Sequence, residues 1–390
     1  MTRADRQHPN AVRSSTLRHD TVPMRLYHEA KQFGAWDPRR LELRQDIQDW
    51  SRLTVVERDV LLRLTALFQA AEESMTRDLL PLLTIVVRGD RLEEQLFLTT
   101  FLAEEAKHTE FFRRILEEVC RHSGDLQRYQ SASFRKLFSE KLPNAMRALL
   151  ADASAAAQAE ALVTYTLVGE GVLGEAGYHV FNSALEGGGR MPGLREGLRL
   201  AQADEDRHMA YGLFLLSGLA AEEPGVWSVI DRRMDDLLPD TLGIVSEFFE
   251  PYDVVPFGLS LEATIEYAMA RFAGRWASLE AAREGGRGAA GVQDPDGALR
   301  SVLAWVREQA QPAPVAVRRE GTAPIYTFRV GSGGAPTLLI TQEVLQHHAP
   351  GEIIAALSTR GVPQQLRERA GLRLTCLRAG GKIVVQAPSR

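Results

Sequence analysis

Glu105-Ala106-Lys107-His108 and Glu205-Asp206-Arg207-His208 are two copies of Glu-x-x-His, each inside a strongly helical stretch. Residues three apart on a helix point to nearly the same side, so each copy offers one carboxylate and one imidazole to a single metal ion. Two such pairs, joined by one Glu from each of two further helices, make the ligand set of a dinuclear metal site in a four-helix bundle. Glu72 and Glu170 are the single glutamates available for it. Carboxylate and imidazole suit iron or manganese, and the scarcity of cysteine argues against thiolate-bound metals. One Glu-x-x-His is weak evidence, because Glu and His share many solvated helix faces. The second copy and the apolar flanks of both give the pattern its force.

Six such ligands need four helices to present them. Leu61, Leu64, Phe68, Met75 and Leu79 recur at spacings of three and four within 55–87, with Glu72 in the gap, and Gly89-Asp90 ends that helix. A second helix over about 92–120 puts Phe101, Glu105, His108, Phe112, Ile115 and Val119 on one seam. A short amphipathic piece at 134–142 stops before Pro143. The third long helix covers about 155–185 and ends at Gly187-Gly188-Gly189. The fourth starts after Pro192 and carries Leu198, Ala201, Glu205, His208, Gly212, Leu215 and Leu219 on its seam. Two more helices follow, at about 225–249 and 259–283. In every long helix the chelators occupy the face that should be buried. An ionised carboxylate buried without a partner is strongly unfavourable, and two divalent cations would balance four glutamates.

The 390 residues leave room for one large and one small domain. With 45% hydrophobic and 25% charged residues the composition is that of a soluble globular protein. A net charge of −5 gives no reason to expect nucleic acid. The charge is uneven: residues 295–390 hold twelve Lys and Arg against six Asp and Glu, leaving the remainder acidic. Cys120 and Cys376 are too few and too far apart for a disulfide scaffold, which fits a reducing, cytoplasmic setting. The polar start lacks the apolar core of a signal peptide, and no apolar run is long enough to span a membrane. The expected organisation is a flexible arm at 1–24, a helical domain at 25–284, a Gly-rich linker at 285–294 and a small α+β domain at 295–390. In that last domain a helix is expected at 299–310, strands at 325–330, 337–340, 372–377 and 382–386, and helical residues near 342–348 and 351–357. Arg318-Arg319 and His347-His348 read as surface residues, and no motif assigns this domain a function.

Four stretches carry a family resemblance: residues 71–76 (Ala-Glu-Glu-Ser-Met-Thr), 104–109 (Glu-Glu-Ala-Lys-His-Thr), Val163-Thr164-Tyr165 with Glu170-Gly171, and 204–212 (Asp-Glu-Asp-Arg-His-Met-Ala-Tyr-Gly). Over about residues 25–280 the chain resembles the ribonucleotide-reductase small-subunit superfamily, and more closely its ligand-binding oxidases, which carry a manganese–iron cofactor. The resemblance implies an all-α ferritin-like helical bundle core, followed here by the small C-terminal α+β domain. It implies that Glu72, Glu105 and His108 hold manganese and Glu170, Glu205 and His208 hold iron, with Glu105 bridging; two irons would suit the same ligands. Glu73 competes with Glu72 but sits one residue off the apolar seam. Asp204, beside Glu205, is expected to accept from a ligand histidine and fix its tautomer. The implied activity is oxidation of a bound organic group by dioxygen, the implied ligand a long-chain fatty acid or similar apolar acid, and the implied assembly a homodimer.

Tyr165 matches the tyrosine that this family ties covalently to a valine on the first core helix. Three residues after Glu72 this chain has Met75 instead, and a thioether is easily oxidised. Either a Tyr165–Met75 link or no link is therefore expected. Five residues before Glu170, Tyr165 would lie about 140° around an ideal helix and face a neighbouring helix rather than the metals. Gly169, Gly171, Gly174 and Gly177 crowd the third helix, each costing about 1 kcal/mol relative to Ala. Close packing, helix distortion or ligand space would each account for them, and Tyr178 reads as a packed tyrosine. A reductase subunit proper carries a radical tyrosine four residues after the first Glu-x-x-His, where this chain has Phe112, and a redox tail with a tyrosine that the sequence lacks. An iron-storage protein would lack helices 225–283.

Overall fold

A computed structural model describes residues 16–185, 190–285, 302–303, 305–309, 315–320, 325–330, 336–341, 344, 350–362, 364–365, 373–379 and 382–386. The helical part contains α1 (Val22–Phe33), α2 (Arg44–Arg52), α3 (Val55–Asp78), α4 (Leu80–Arg88), α5 (Leu92–Arg114), α6 (Ala132–Arg135), α7 (Leu142–Ala148), α8 (Ala155–Leu162), α9 (Glu175–Leu185), α10 (Pro192–Glu222), α11 (Gly225–Phe249) and α12 (Leu261–Gly285). It is an all-α ferritin-like core, and a small sheet lies C-terminal to it.

Local chemistry fixes where these helices begin. The Thr54 hydroxyl accepts from the Glu57 N–H while the Glu57 carboxylate accepts from the Thr54 N–H, a reciprocal cap that starts α3. The N-terminus of α10 is capped from another helix. Asp46 of α2 accepts from the backbone N–H groups of Gly193 and Leu194 at 3.0 and 2.6 Å, and Asp49 accepts from that of Met191 at 2.9 Å. The capping carboxylates also answer the positive end of the helix dipole.

Several sequence expectations change. The helix predicted across 55–87 is two, α3 and α4, because Pro81 belongs in a first turn and cannot continue a helix interior. The helix predicted across 155–185 is α8 and α9 joined by a twelve-residue π-helix, Val163–Gly174. The arm predicted for 1–24 is helical from Val22 onward, and residues 1–15 lie outside the described residues. Of the predicted linker 285–294, Gly285 closes α12 and the rest lies outside the described residues.

Two apolar clusters fill the helical core, with the chelators between them. On α3, Leu61, Leu64 and Phe68 join one cluster and Met75 the other, with Glu72 between. On α5, Phe101 belongs to one and Phe111 and Phe112 to the other, with Glu105 and His108 between. On α10, Leu198 and Ala201 lie on one side of Glu205 and His208, and Leu215 and Leu216 on the other. Each helix thus surrenders one turn of an otherwise apolar seam to polar ligands.

The C-terminal sheet has five strands in the order β1-β2-β3-β4-β5: Val315–Glu320, Ile325–Val330, Thr337–Thr341, Arg373–Ala379 and Lys382–Gln386. The β3–β4 pair is parallel and the others antiparallel. The parallel step needs a crossover, and the helix Pro350–Thr359 lies within it, packing Ile353 and Leu357 against Phe328, Leu338, Ile340 and Cys376. β1 was not anticipated, since Val-Ala-Val-Arg-Arg-Glu alternates only in its first half.

Candidate metal centre

The structure brings all six ligands named from the sequence into one buried cluster. Glu72, Glu105, His108 and Glu205 form one group of four, and Glu105, Glu170, Glu205 and His208 a second, with the potential ligand atoms in each within 4.8 Å of one another. Glu105 and Glu205 belong to both groups. The sequence pointed to Glu105 alone as the shared carboxylate, and the geometry adds Glu205. Glu73 lies outside the cluster, where it pairs with Arg113 at 2.6 Å and accepts from Gln69.

Both imidazoles turn Nδ1 inward. His108 Nδ1 lies 3.5 Å from Glu72 and 3.3 Å from Glu205, and His208 Nδ1 lies 3.2 Å from Glu105, 3.5 Å from Glu170 and 3.4 Å from Glu205. These approaches lack hydrogen-bond alignment. Glu72 Oε2, both oxygens of Glu105 and of Glu170, Glu205 Oε2 and the two Nδ1 atoms are buried with no hydrogen-bond partner. Buried polar atoms are rarely left so. Eight of them converging on one point are the donor set of a cation pair, and carboxylate oxygen with imidazole nitrogen fits iron or manganese.

The outward nitrogens are held crosswise. His108 on α5 donates from Nε2 to Asp204 on α10 at 3.2 Å, and His208 on α10 donates from Nε2 to Glu104 on α5 at 3.0 Å. Asp204 was anticipated from the sequence and Glu104 was not. The signal was present, because both motifs read acid-Glu-x-x-His. Arg207 ties the two carboxylates together, with Nη2 donating to Glu104 at 2.5 Å and also to Asp204. Lys107 at 3.0 Å and the Trp36 indole N–H at 2.8 Å complete the shell of Asp204. Phe101 stacks on the His208 ring with centroids 3.6 Å apart and fixes its plane.

The electrostatics match a cage awaiting positive charge. Burial pushes the Glu72 carboxyl up to about 8 and raises those of Glu105 and Glu170 as well, so desolvation works against their charge unless a cation offsets it. Burial acts the same way on Glu205, but the close approach and positive charge of His108 and His208 outweigh it and hold the group at about 2. Asp204 is likewise driven up by burial, and the neighbouring Arg207, His108 and Lys107 bring it below the usual carboxylate range.

Tyr165 is placed differently from the helical-wheel expectation. In a π-helix the i→i+5 bond brings residues five apart into line, so Tyr165 and Glu170 share a side. The Tyr165 hydroxyl donates to the Met75 carbonyl oxygen at 3.1 Å, and burial together with Glu105 and Glu170 holds its pKa well above the usual phenol value. The four glycines serve distortion, space and packing together. Gly171 and Gly174 lie in or at the end of the π segment, Gly169 and Gly174 line a cavity, and a Cβ on Gly177 would come within 2.4 Å of the Phe68 ring.

That cavity is walled by apolar side chains including Leu64, Phe68, Met75, Leu173 and Phe248, and its inner end is formed by Glu72, Glu170 and Glu205. Tyr178 also lines it, buried, with its hydroxyl lacking a partner. Phe112 is fully buried and packs on Phe68 with ring centroids 4.9 Å apart.

A carboxylate–histidine cage shared by four core helices places the molecule among ferritin-like dinuclear metal proteins. Residues 23–275 match the family "Ribonucleotide reductase, small chain". Among solved structures, an R2-like ligand-binding oxidase variant with an anaerobically reconstituted Mn/Fe cofactor is 33% identical, with a TM-score of 0.64 over 67% of this chain and 94% of the other. A second such variant gives 33% identity and a TM-score of 0.65 over the same shares. A third, with a non-activated Mn/Mn cofactor, gives 33% identity and 0.64, again over 67% and 94%. The chain belongs to the ribonucleotide reductase small-chain family and groups there with the R2-like ligand-binding oxidases.

Proposed function

We propose that this protein is a dioxygen-activating oxidase whose dinuclear cofactor is Mn/Fe, with Fe/Fe as the alternative, and whose substrate is an apolar acid such as a long-chain fatty acid. The observation that carries the reading is the set of eight partnerless buried ligand atoms, together with the apolar cavity that three of the same residues, Glu72, Glu170 and Glu205, help to line. Glu72, Glu105 and His108 would hold one metal and Glu170, Glu205 and His208 the other, with Glu105 and Glu205 placed to touch both. A reduced pair held there would supply electrons to dioxygen and an oxidant for a nearby C–H bond.

The protein's part is positioning and exclusion. Glu104 and Asp204 take the Nε2 protons of the histidines, leaving both Nδ1 lone pairs directed inward. The cavity walls keep water from the carboxylates and offer apolar surface to a hydrocarbon tail. The free Tyr178 hydroxyl is placed to donate to an oxygen of the bound acid. Tyr165, whose hydroxyl donates to the Met75 carbonyl, is the candidate redox-active phenol beside the cage, and Phe112 removes the phenol that a reductase subunit would use there. No helix among the described residues is long and apolar enough to cross a membrane, and both cysteines are free; the cytoplasmic location and the homodimer are proposed on the family resemblance.

Reconstitution with Fe(II) and Mn(II) followed by air tests the reading. Two metals per chain, and an apolar acid in a solvent extract of the purified protein, are the expected results. Glu105→Ala or His208→Ala should each lose at least one metal. Full occupancy in either variant, with unchanged oxygen uptake, would overturn the ligand assignment.

A further inference from the structure

The π-helix Val163–Gly174 has to return to α-helical bonding, and the return leaves one carbonyl aside. The Glu175 N–H is shared between the carbonyl oxygens of Glu170 and Val172, passing over Gly171. Changing from i→i+5 to i→i+4 bonds removes one acceptor from the ladder, and a buried carbonyl without a donor costs about 1–3 kcal/mol. Gly171 is buried, and its oxygen accepts instead from Arg275 Nη1. Arg275 comes from α12, outside the four ligand-bearing helices, and is itself buried. Its Nη2 donates to Glu175 at 2.7 Å, and the same carboxylate accepts from Arg271 at 3.1 Å and from the Tyr267 hydroxyl at 3.2 Å. Three side chains of α12 therefore hold Glu175, where the wide turn ends, and one of them, Arg275, also reaches Gly171, the residue next to Glu170.

We propose that Arg275 is a positioning residue: it fixes the π register of the segment bearing Glu170, and with it the placement of Glu170 and Tyr165 at the centre. The register matters because it alone aligns these two residues; in an α-helix they diverge by about 140°. With the guanidinium gone, the Gly171 carbonyl regains a donor most cheaply if the α-helical bonding of α9 extends back through it, and that movement turns Glu170 out of the cage. The consequence for metal rests on the oxidase reading above; the consequence for the backbone does not.

The test compares Arg275→Ala and Arg275→Gln with the wild-type full chain. Gln retains a side-chain N–H for the carbonyl but no charge. Metal content is read by native mass spectrometry during Fe(II) and Mn(II) titration, and amide exchange across 163–176 is read in the metal-free protein. In Arg275→Ala the second metal, on the Glu170 side, should bind roughly tenfold or more weakly while the first is retained, as is usual when an outer partner of a metal site is lost. Exchange at 170–176 should quicken without change in α3 or α5, and Arg275→Gln or added free guanidinium should restore both readouts. Wild-type metal affinity and wild-type exchange in Arg275→Ala would overturn the proposal, as would a uniform rise in exchange over all helices. If Arg275→Ala does not fold, Arg275→Gln decides alone: protected 170–176 amides support the proposal and exposed ones refute it. Should the wild-type protein take up no metal, the oxidase reading fails, and the exchange experiment still judges Arg275.

Discussion

The side chains that matter most at the residue scale include several that touch no metal. Glu104 and Asp204 each orient a histidine from the opposite helix, and outer partners of this kind are worth about 10–100-fold in metal affinity. Glu104→Gln should therefore weaken metal binding by roughly that factor while leaving the fold intact, as read by competition with a chelator dye. Unchanged affinity would show that the stacked Phe101 holds the His208 ring unaided. A second expectation concerns Tyr165. Its hydroxyl is engaged with the main-chain oxygen of Met75, so after turnover the peptides bearing Tyr165 and Met75 should separate at their own masses. A covalently joined pair in the digest would contradict this. The clustering of the six candidate side chains was legible because Glu and His at helical spacing inside an apolar seam have no cheap alternative explanation. Glu104 was not, because an acid next to a ligand Glu looks the same in sequence whether it is solvated or paired with Arg207.

Elements set those residues in place, and the least obvious of them is α2. Its Asp46 is buried and caps α10, the helix that delivers Glu205 and His208. Asp46→Ala leaves two buried N–H groups without an acceptor and should cost about 1–3 kcal/mol in urea unfolding. A loss within experimental error would mean that water or Asp49 takes over the cap. The third ligand helix shows where sequence periodicity stops informing. Every position from Val163 to Val172 is buried, and Thr, Gly and Glu interrupt its apolar residues, so no stripe distinguishes a 3.6-residue turn from a wider one. The glycine cluster was a real sign of distortion, but only the backbone reveals its kind. The break between α3 and α4, by contrast, was readable from Pro81.

At the scale of the whole molecule, the helical core and the C-terminal sheet have separate apolar interiors, with Phe33 a helical-part residue packed against the sheet's cluster. The metal cage lies entirely within the first. Chelation should thus destabilise the helical unit by roughly 4 kcal/mol for each site held at a thousandfold excess over its Kd, and lower its melting temperature accordingly. The transition of the sheet should stay where it was, and calorimetry with and without chelator would separate the two. A single transition that moves as one would show that the units melt together. That a small sheet follows the helical core was readable from the change in periodicity, whereas the five-strand topology with its one parallel step was not, because pairing partners leave no local mark.

The crossed hydrogen bonds joined by Arg207 have a final consequence. Because each imidazole answers to a carboxylate on the other's helix, neither half of the cage can be retuned alone. A change made to favour one ion alters the basicity of the ligand serving its neighbour, so preference for two unlike ions is a property of the pair and would respond to substitutions non-additively.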